Sequence, residues 1–217
     1  MNVGRALNTI STRMFPNVLP ADPAQLNRTG DFYGFDRQFI RASLVLDILR
    51  NIGCDAFIET GAQNGATAWL VASQRRVQIY LAAETPEAYR RARGLLGLYR
   101  RQVQVRQQNV RTFLNERIAD ARLPFVYLNH SADAAVLHEE LKLVGSLFRQ
   151  YVVMVDDFKL EPAEIAADVA TMGGVIYAPA YANDLETGVQ HGFALIVPRS
   201  LADRFDEIYS SYLKRAP

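Results

Sequence analysis

Short apolar runs alternate along the chain with longer segments whose apolar residues recur every three or four positions. The short runs lie at residues 57–58, 77–83, 103–106, 124–128, 151–155, 175–177 and 192–197. Runs of this length indicate β-strands, and the periodic segments between them indicate helices. Because strands that alternate with helices are typical of βαβ units, the pattern predicts an α/β protein with a mostly parallel sheet. We expect seven strands, and the last two are joined without an obvious helix.

The segment ahead of the first strand has a different composition. Residues 1 to about 30 mix Asn, Thr, Pro and Asp with scattered apolar residues, which indicates an irregular arm. An aromatic cluster of Phe32, Tyr33 and Phe35 follows, and then a helix that carries apolar residues over 39–49. The cluster fits either a lid over an acceptor or the packing of an N-terminal extension.

Length and composition narrow the class of protein. The chain has 217 residues, 49% of them hydrophobic, so we predict a single domain over 1–217, with an arm and helix in 1–50 and the core in 51–217. The net charge of +1 gives no reason to expect nucleic acid or an anionic membrane as a partner. No run approaches the roughly 20 apolar residues of a membrane span, and residues 1–20 lack a secretory signal, so we predict a cytoplasmic protein. The oligomeric state, including a homo-oligomer, stays open.

One stretch joins a strand end to a turn that contains glycine. Glu59 ends the first strand, Gly61 and Gly65 bracket the turn, and a helix begins near Thr67. Glycine supplies the backbone freedom that a tight strand-to-helix turn needs. The unpaired N–H groups of the helix point back into the turn, at the sheet edge where α/β proteins bind ligands. The stretch therefore predicts a ligand site.

The residues of this turn select among ligands. In the dinucleotide-binding pattern G-x-G-x-x-G, the middle glycine lets a pyrophosphate approach the backbone, but Gln63 fills that place here. Glu59 would also repel a phosphate and attract a cation. A nucleoside that carries positive charge and no phosphate suits the site, and S-adenosylmethionine is such a ligand. An NAD-linked oxidoreductase is disfavoured on the same grounds.

A second carboxylate follows the next predicted strand. Glu84 lies about twenty residues beyond the turn, where an acidic side chain can accept hydrogen bonds from both hydroxyls of a ribose. The alternative is a carboxylate that only stabilises the N-terminus of the next helix.

The helix after Glu84 has a basic face. This face carries Arg90, Arg91, Arg93 and Arg100. Such a row fits either the binding of an anionic substrate or a solvated helix face.

The motif E-x-G-x-x-x-G at Glu59–Gly65 resembles motif I of class I S-adenosylmethionine-dependent methyltransferases. More narrowly, the chain resembles a bacterial methyltransferase-like group with E-T-G-x-x-x-G, Y-L-D-A-H and I-D-D-F motifs. The first and third are present as Glu59–Gly65 and Val155–Phe158, and the second has drifted to Tyr127–Ser131. The resemblance spans roughly residues 50–200. It implies an α/β, Rossmann-like, seven-stranded, mostly parallel sheet with helices on both faces and an antiparallel last strand.

The resemblance also implies which residues hold the cofactor. Glu59 would face the amino-acid end of S-adenosylmethionine, and Glu84 would bind its ribose. Asn109 stands where the family often has an aspartate that holds the adenine amino group, and Asn129 also replaces an aspartate. The predicted cofactor-binding residues are Glu59, Gly61, Gln63, Gly65, Glu84, Asn109 and Asn129.

A divalent metal is an alternative that these residues do not favour. In the resembling group, acids at the ends of two central strands can place a divalent cation. Asn129, Asp156 and Asp157 still offer oxygens, which Mg²⁺ prefers, but the asparagine removes one charge. Adjacent aspartates also point in different directions if both keep strand geometry.

Methyl transfer needs alignment of the reacting atoms, and it needs a base only when the acceptor is a hydroxyl or a similar group. We predict His130 and Asp156 as catalytic residues, and Asp157 and Tyr181 as substrate-binding residues. The predicted activity is methylation of a small polar acceptor, with oxygen as the favoured atom.

An alternative from another class stays open. The fold could have lost catalysis and serve as a binding or assembly module. The substitutions that favour this alternative are Asn109, Asn129 and Ser131. The retained acids Glu59 and Glu84 argue against it, because a module has no physical need for them.

Overall fold

The computed structural model describes residues 39–62, 64–116, 121–129, 134–156, 162–179, 192–210 and 213–216. Within these residues, the strands are β1 (Ala56–Thr60), β2 (Gln78–Ala82), β3 (Val103–Arg106), β4 (Pro124–Leu128), β5 (Val152–Val155), β6 (Gly174–Pro179), β7 (Ala194–Pro198) and β8 (Leu213–Arg215). The α-helices are α1 (Phe39–Asn51), α2 (Ala66–Gln74), α3 (Pro86–Leu95), α4 (Val110–Asn115), α5 (Ala134–Leu147), α6 (Pro162–Thr171) and α7 (Arg199–Tyr209). A short 3₁₀ helix, Gly97–Tyr99, follows α3.

The described strands form one mixed sheet in the order β3-β2-β1-β4-β5-β7-β6-β8. Strands β1 to β5 pair in parallel, whereas β7 is antiparallel to both β5 and β6. The strand order reverses at β1, which lies between β2 and β4. In open α/β sheets, ligands bind beyond the carboxyl ends of the strands at such a reversal.

Apolar side chains leave the central strands alternately toward two cores. Phe57, Tyr127 and Met154 belong to one cluster, together with apolar residues of α1, α2, α3 and α7. Ile58 and Val126 belong to the other, which is completed by α4, α5 and α6. Since side chains alternate across a strand, helices cover both faces of the sheet. The predicted mostly parallel α/β sheet with helices on both faces is confirmed.

The structure adds an eighth strand to the predicted seven. The sequence after the seventh strand predicts a closing helix from Arg199 to Leu213, but α7 ends at Tyr209 and β8 pairs antiparallel with β6. Leu213 is buried in the first core, and Arg215 pairs with carboxylates of α7 at Asp203 and Asp206. One buried leucine and a charged anchor hold this strand, which is too short to show a period in the sequence.

Of the predictions for the N-terminal part of the chain, the structure tests only those from the start of α1 onward. The predicted helix is present as Phe39–Asn51. The irregular arm and its aromatic cluster at Phe32, Tyr33 and Phe35 lie outside the described residues, and the single-domain boundary stays a prediction. Of the helices that the structure describes, none combines the length and apolar character of a membrane span.

Candidate functional site

The glycine turn between β1 and α2 has a backbone conformation that depends on glycine. Gly61 has φ +67° and Gly65 has φ +80°, a region that residues with a Cβ rarely enter. The Ala62 N–H donates to the carbonyl of Ala82 over 3.0 Å, which ties the turn to the end of β2. The Asn64 Oδ1 accepts from the Ala66 N–H over 2.9 Å and so satisfies one of the N–H groups at the start of α2.

Gly65 also has a packing role that is not visible in the sequence. A Cβ at this position would lie 3.0 Å from the Cβ of Ala92, 3.2 Å from its Cα and 3.1 Å from Leu96 Cδ1. Helix α3 therefore packs directly on the backbone of the turn. Ala92 and Leu96 are themselves buried, so the contact lies inside the first core.

The ends of three neighbouring strands are joined beside this turn. The Ala62–Ala82 bond links β1 to β2, and the Ala83 N–H donates to the Arg106 carbonyl over 2.9 Å, which links β2 to β3. Glu84 follows Ala83 and is exposed. The structure thus places the glycine turn, Glu84 and the segment that leads to Asn109 along one edge of the sheet.

The side chains of Glu84 and Asn109 differ in what they already contact. Thr85 is the N-cap of α3, since its Oγ1 accepts from the Ala88 N–H over 3.1 Å, so Glu84 is not needed as the cap. Asn109 is the N-cap of α4, and its Oδ1 accepts from the Thr112 N–H over 2.9 Å. The amide oxygen assigned to adenine therefore has a structural partner, and the local signal of that cap is an asparagine directly before the first helical residue.

A row of buried polar groups crosses the ends of β1, β4 and β5. Glu59 is paired in register with Tyr127, and Asp156 directly follows β5. The Tyr127 hydroxyl donates to Asp156 Oδ2, and the Asp156 N–H donates to the Leu128 carbonyl over 2.9 Å. Glu59, Tyr127 and Asp156 are each at most 2% exposed.

Helix α1 supplies the positive charge to this row. Arg41 is 1% exposed, and its Nη1 donates to Asp156 Oδ1 in a buried ion pair. The Arg41 guanidinium also lies 5.4 Å from the ring centre of Phe193, just before β7. One side chain thus connects the start of α1 to the ends of β5 and β7. The signal for Arg41 in the sequence is a single charge near the start of an apolar helix.

The contacts of Asp156 bear on its predicted catalytic role. Arg41 donates to one of its carboxylate oxygens and Tyr127 donates to the other. A buried charge requires such pairing, because the desolvation of an unpaired carboxylate is costly. The arrangement favours a positioning role for Asp156.

The structure describes only some of the remaining predicted site residues. Asn129 is half-buried after β4, next to the Leu128 carbonyl that binds Asp156. The structure does not describe Gln63, His130, Asp157 or Tyr181. Among the residues that it does describe, no group of three or more His, Cys, Asp or Glu side chains could hold a metal ion.

The single cysteine is buried away from this chemistry. Cys54 is 4% exposed, and burial, with a smaller contribution from Asp55, raises the pKa of its thiol to about 12. Because the thiolate is the reactive form, Cys54 is inert at neutral pH.

We expect Cys54 to react with an aromatic disulfide reagent at about pH 8 no faster than the protein unfolds. Absorbance of the released thiolate, recorded in native buffer and in denaturant, measures this. A rapid stoichiometric reaction in native buffer would contradict the burial of the thiol.

Comparison with known proteins identifies the fold. No protein-family model and no curated protein sequence matches the chain. An O-methyltransferase from Bacillus cereus in complex with SAH is 14% identical, with a TM-score of 0.62 over 88% of this chain and 97% of that chain. Precorrin-6y C5,15-methyltransferase from Geobacter metallireducens is 12% identical, with a TM-score of 0.56 over 77% and 93% of the two chains. A cofactor-bound protein from MTB is 16% identical, with a TM-score of 0.59 over 92% and 98%. The chain has the class I methyltransferase fold, which confirms the predicted resemblance at the level of fold.

Proposed function

We propose that this protein binds S-adenosylmethionine at the glycine turn and transfers its methyl group to a small polar acceptor. The observation that carries the proposal is the pair of hydrogen bonds that joins the ends of β1, β2 and β3. These bonds bring a turn with two positive-φ glycines beside an exposed carboxylate at the point where the strand order reverses. A ligand that lies along the carboxyl ends of these strands would contact the backbone N–H groups of the glycine turn, then the Glu84 carboxylate and then the Asn109 amide.

The residues present fit the parts of this cofactor. The Glu59 carboxylate lies behind the turn, where it would attract the ammonium group. Glu84 would accept hydrogen bonds from the ribose hydroxyls. Because the Asn109 oxygen already caps α4, we assign the Asn109 NH₂ group to a ring nitrogen of adenine, in place of the predicted contact with the adenine amino group.

The chain's own contribution to catalysis would be alignment. The bound sulfonium supplies an electrophilic methyl carbon, and transfer then requires an acceptor atom held in line with the methyl–sulfur bond. We keep His130 as the proposed base for a hydroxyl acceptor, with Asp157 and Tyr181 as proposed substrate contacts. Asp156 would act through Arg41 and Tyr127 by fixing α1 over the strand ends.

A binding or assembly module is the second candidate. The pairing of Asp156 with Arg41 favours it, because this pairing engages an acid that catalysis was expected to use. The two candidates differ at the cofactor: the enzyme requires S-adenosylmethionine, whereas a module does not.

Titration calorimetry with S-adenosylmethionine and S-adenosylhomocysteine tests the proposal. We expect micromolar binding to the wild type and at least a tenfold loss, about 1.4 kcal/mol, in Glu84→Gln, since hydrogen bonds to a charged acceptor carry this much. The amide keeps the size of the side chain and removes its charge.

Glu87→Gln is the matched control. Glu87 is also exposed and lies in the first turn of α3, where it pairs with Arg90 over 2.8 Å. This variant should bind both ligands like the wild type. Folded wild-type protein that binds neither ligand at millimolar concentration would exclude the enzyme and leave the module.

A further inference from the structure

Positive charge is concentrated in one part of the fold. Residues 75–111 contain nine arginines and two glutamates, a local excess of seven positive charges in a chain whose net charge is +1. The segment runs from the end of α2 to the start of α4 and includes β3, the strand at one end of the sheet. The near-neutral total therefore conceals a strong asymmetry, and local charge governs association with charged surfaces.

Part of this charge lies around a turn at the amino ends of β2 and β3. The Ile79 N–H donates to the Gln102 carbonyl over 2.8 Å, and the Gln102 side chain donates to the Arg75 carbonyl. These bonds hold the loop before β2 against the turn before β3. We name this surface the basic tip, which consists of Arg76, Arg93, Leu98, Arg100 and Arg101. Arg75 is not part of it, because its side chain is half-buried and its Nε donates to the Leu46 carbonyl over 3.0 Å.

The basic tip presents an apolar side chain to solvent. Leu98 is 94% exposed, and the next large hydrophobic residue that the structure describes as exposed, Val136, is only 40% exposed. The turn is ordered by hydrogen bonds, since the Tyr99 N–H donates to the Leu96 carbonyl and the Gln102 N–H donates to the Tyr99 carbonyl, both over 2.8 Å. A fixed backbone therefore holds Leu98 outward.

The arginines of the basic tip lack compensating acids. Within the described residues, no ion pair joins any of them to a carboxylate, whereas Arg90 in the middle of α3 pairs with Glu87. Like charges held together in this way repel one another, and an external polyanion would relieve that repulsion.

We propose that the basic tip docks this protein on an anionic phospholipid surface, with Leu98 entering the interface and the arginines facing the headgroups. A large apolar side chain with a basic rim is the pattern of interfacial binding, and arginines near an anionic leaflet each add to the attraction. Nucleic acid is the other common polyanion. The arginines could contact its phosphates as well as lipid headgroups. Leu98 favours the lipid surface, because an apolar side chain that is 94% exposed gains from entering a membrane interface and not from contact with a phosphate backbone.

The position of the basic tip is compatible with the proposed function and independent of it. The tip precedes β2 and β3, whereas the glycine turn and Glu84 follow β1 and β2. Because β1, β2 and β3 are parallel, their amino ends and their carboxyl ends lie on opposite sides of the sheet. A docked molecule would keep its candidate site open to solvent.

Vesicle co-sedimentation of the full chain tests the docking. We expect binding to phosphatidylcholine vesicles that contain about one third phosphatidylglycerol, and none to pure phosphatidylcholine. Raising NaCl from about 0.1 M to 0.5 M should release most of the protein, because the attraction is screened. Leu98→Ser should lower the partition coefficient about tenfold, and Arg100→Glu with Arg101→Glu should lower it by more than tenfold.

The matched control reverses two exposed charges elsewhere. Arg149→Glu with Lys214→Glu changes the net charge by the same amount, and Lys214 lies on β8 at the other end of the sheet. This variant should bind vesicles like the wild type. Equal losses in both double variants, or binding that ignores Leu98, would overturn docking through the tip. Tight binding of a mixed-sequence RNA or DNA 20-mer, without vesicle binding, would also overturn it in favour of nucleic acid.

Discussion

Asp156→Ala is expected to lower the free energy of unfolding by about 3–5 kcal/mol, because it leaves Arg41 charged and buried without its counter-ion. Arg41 is 1% exposed and Asp156 is 2% exposed, so water cannot replace the lost partner without opening the fold. A loss of this size is a large part of the 5–15 kcal/mol that stabilises a typical domain. Denaturant unfolding followed by circular dichroism measures it.

An exposed ion pair provides the control. Glu87→Ala removes the partner of Arg90, and both side chains of that pair are more than 60% exposed, so we expect a change of no more than about 1 kcal/mol. The double variant Arg41→Met with Asp156→Leu should lose less unfolding free energy than the sum of the two single variants. Each single variant leaves one buried charge behind, whereas the double variant leaves none. Additive losses would mean that the two side chains do not interact.

The Arg41–Asp156 pair bears on the proposed function because it holds α1 against the strand ends of the candidate site. Arg41 belongs to α1, and Asp156 belongs to the same row of strand ends as Glu59. The pair therefore fixes a helix beside the carboxylate that we assign to the cofactor's ammonium group. This is why we treat Asp156 as a positioning residue, whose loss is expected to weaken stability and cofactor binding together.

Local sequence patterns predicted most of the sheet and its helices. The strands predicted at 103–106 and 124–128 match β3 and β4. The helical spacing of Leu137, Leu141 and Val144 predicts a helix near 134–148, and the structure shows it as α5, which ends at Leu147. Each of these elements places its own apolar residues at a spacing that packs them into a core. The pattern that identifies the element therefore lies within its own sequence. The turn chemistry at Gly61 and Gly65 was visible for the same reason: glycine at a strand end marks a backbone that other residues avoid.

Contacts between distant segments could not be predicted in this way. Arg41 and Asp156 are 115 positions apart, and no spacing rule connects one charge in a helix to one acid after a strand. The sequence therefore predicted a catalytic role for Asp156 but not the ion pair in which the fold places it. Asn109 shows a related limit, because the same amide can cap a helix or bind a ligand, and only the 2.9 Å bond to the Thr112 N–H shows the first of these.

Gly65→Ala is expected to lower the free energy of unfolding by roughly 2–5 kcal/mol. The φ of +80° costs an alanine about 1–2 kcal/mol, and the methyl group would meet Ala92 at 3.0 Å and Leu96 at 3.1 Å, which adds about 1–3 kcal/mol of overpacking. The contact with Ala92 cannot relax cheaply, because its Cα and Cβ belong to α3, which is packed in the core. Thermal and denaturant unfolding measure the loss.

Gly53→Ala separates the two causes. Gly53 has nearly the same backbone, with φ +82°, but a Cβ there would meet nothing within 4 Å. We expect this variant to lose only about 1–2 kcal/mol, so the difference between the two glycines reports the packing of α3 on the turn. Because α3 begins just after Glu84, its displacement in Gly65→Ala should also weaken the binding of S-adenosylhomocysteine, whereas Gly53→Ala should bind it normally. Equal stability losses in the two variants would show that α3 does not press on the turn, and the alignment of Glu84 with the glycine backbone would then need another cause.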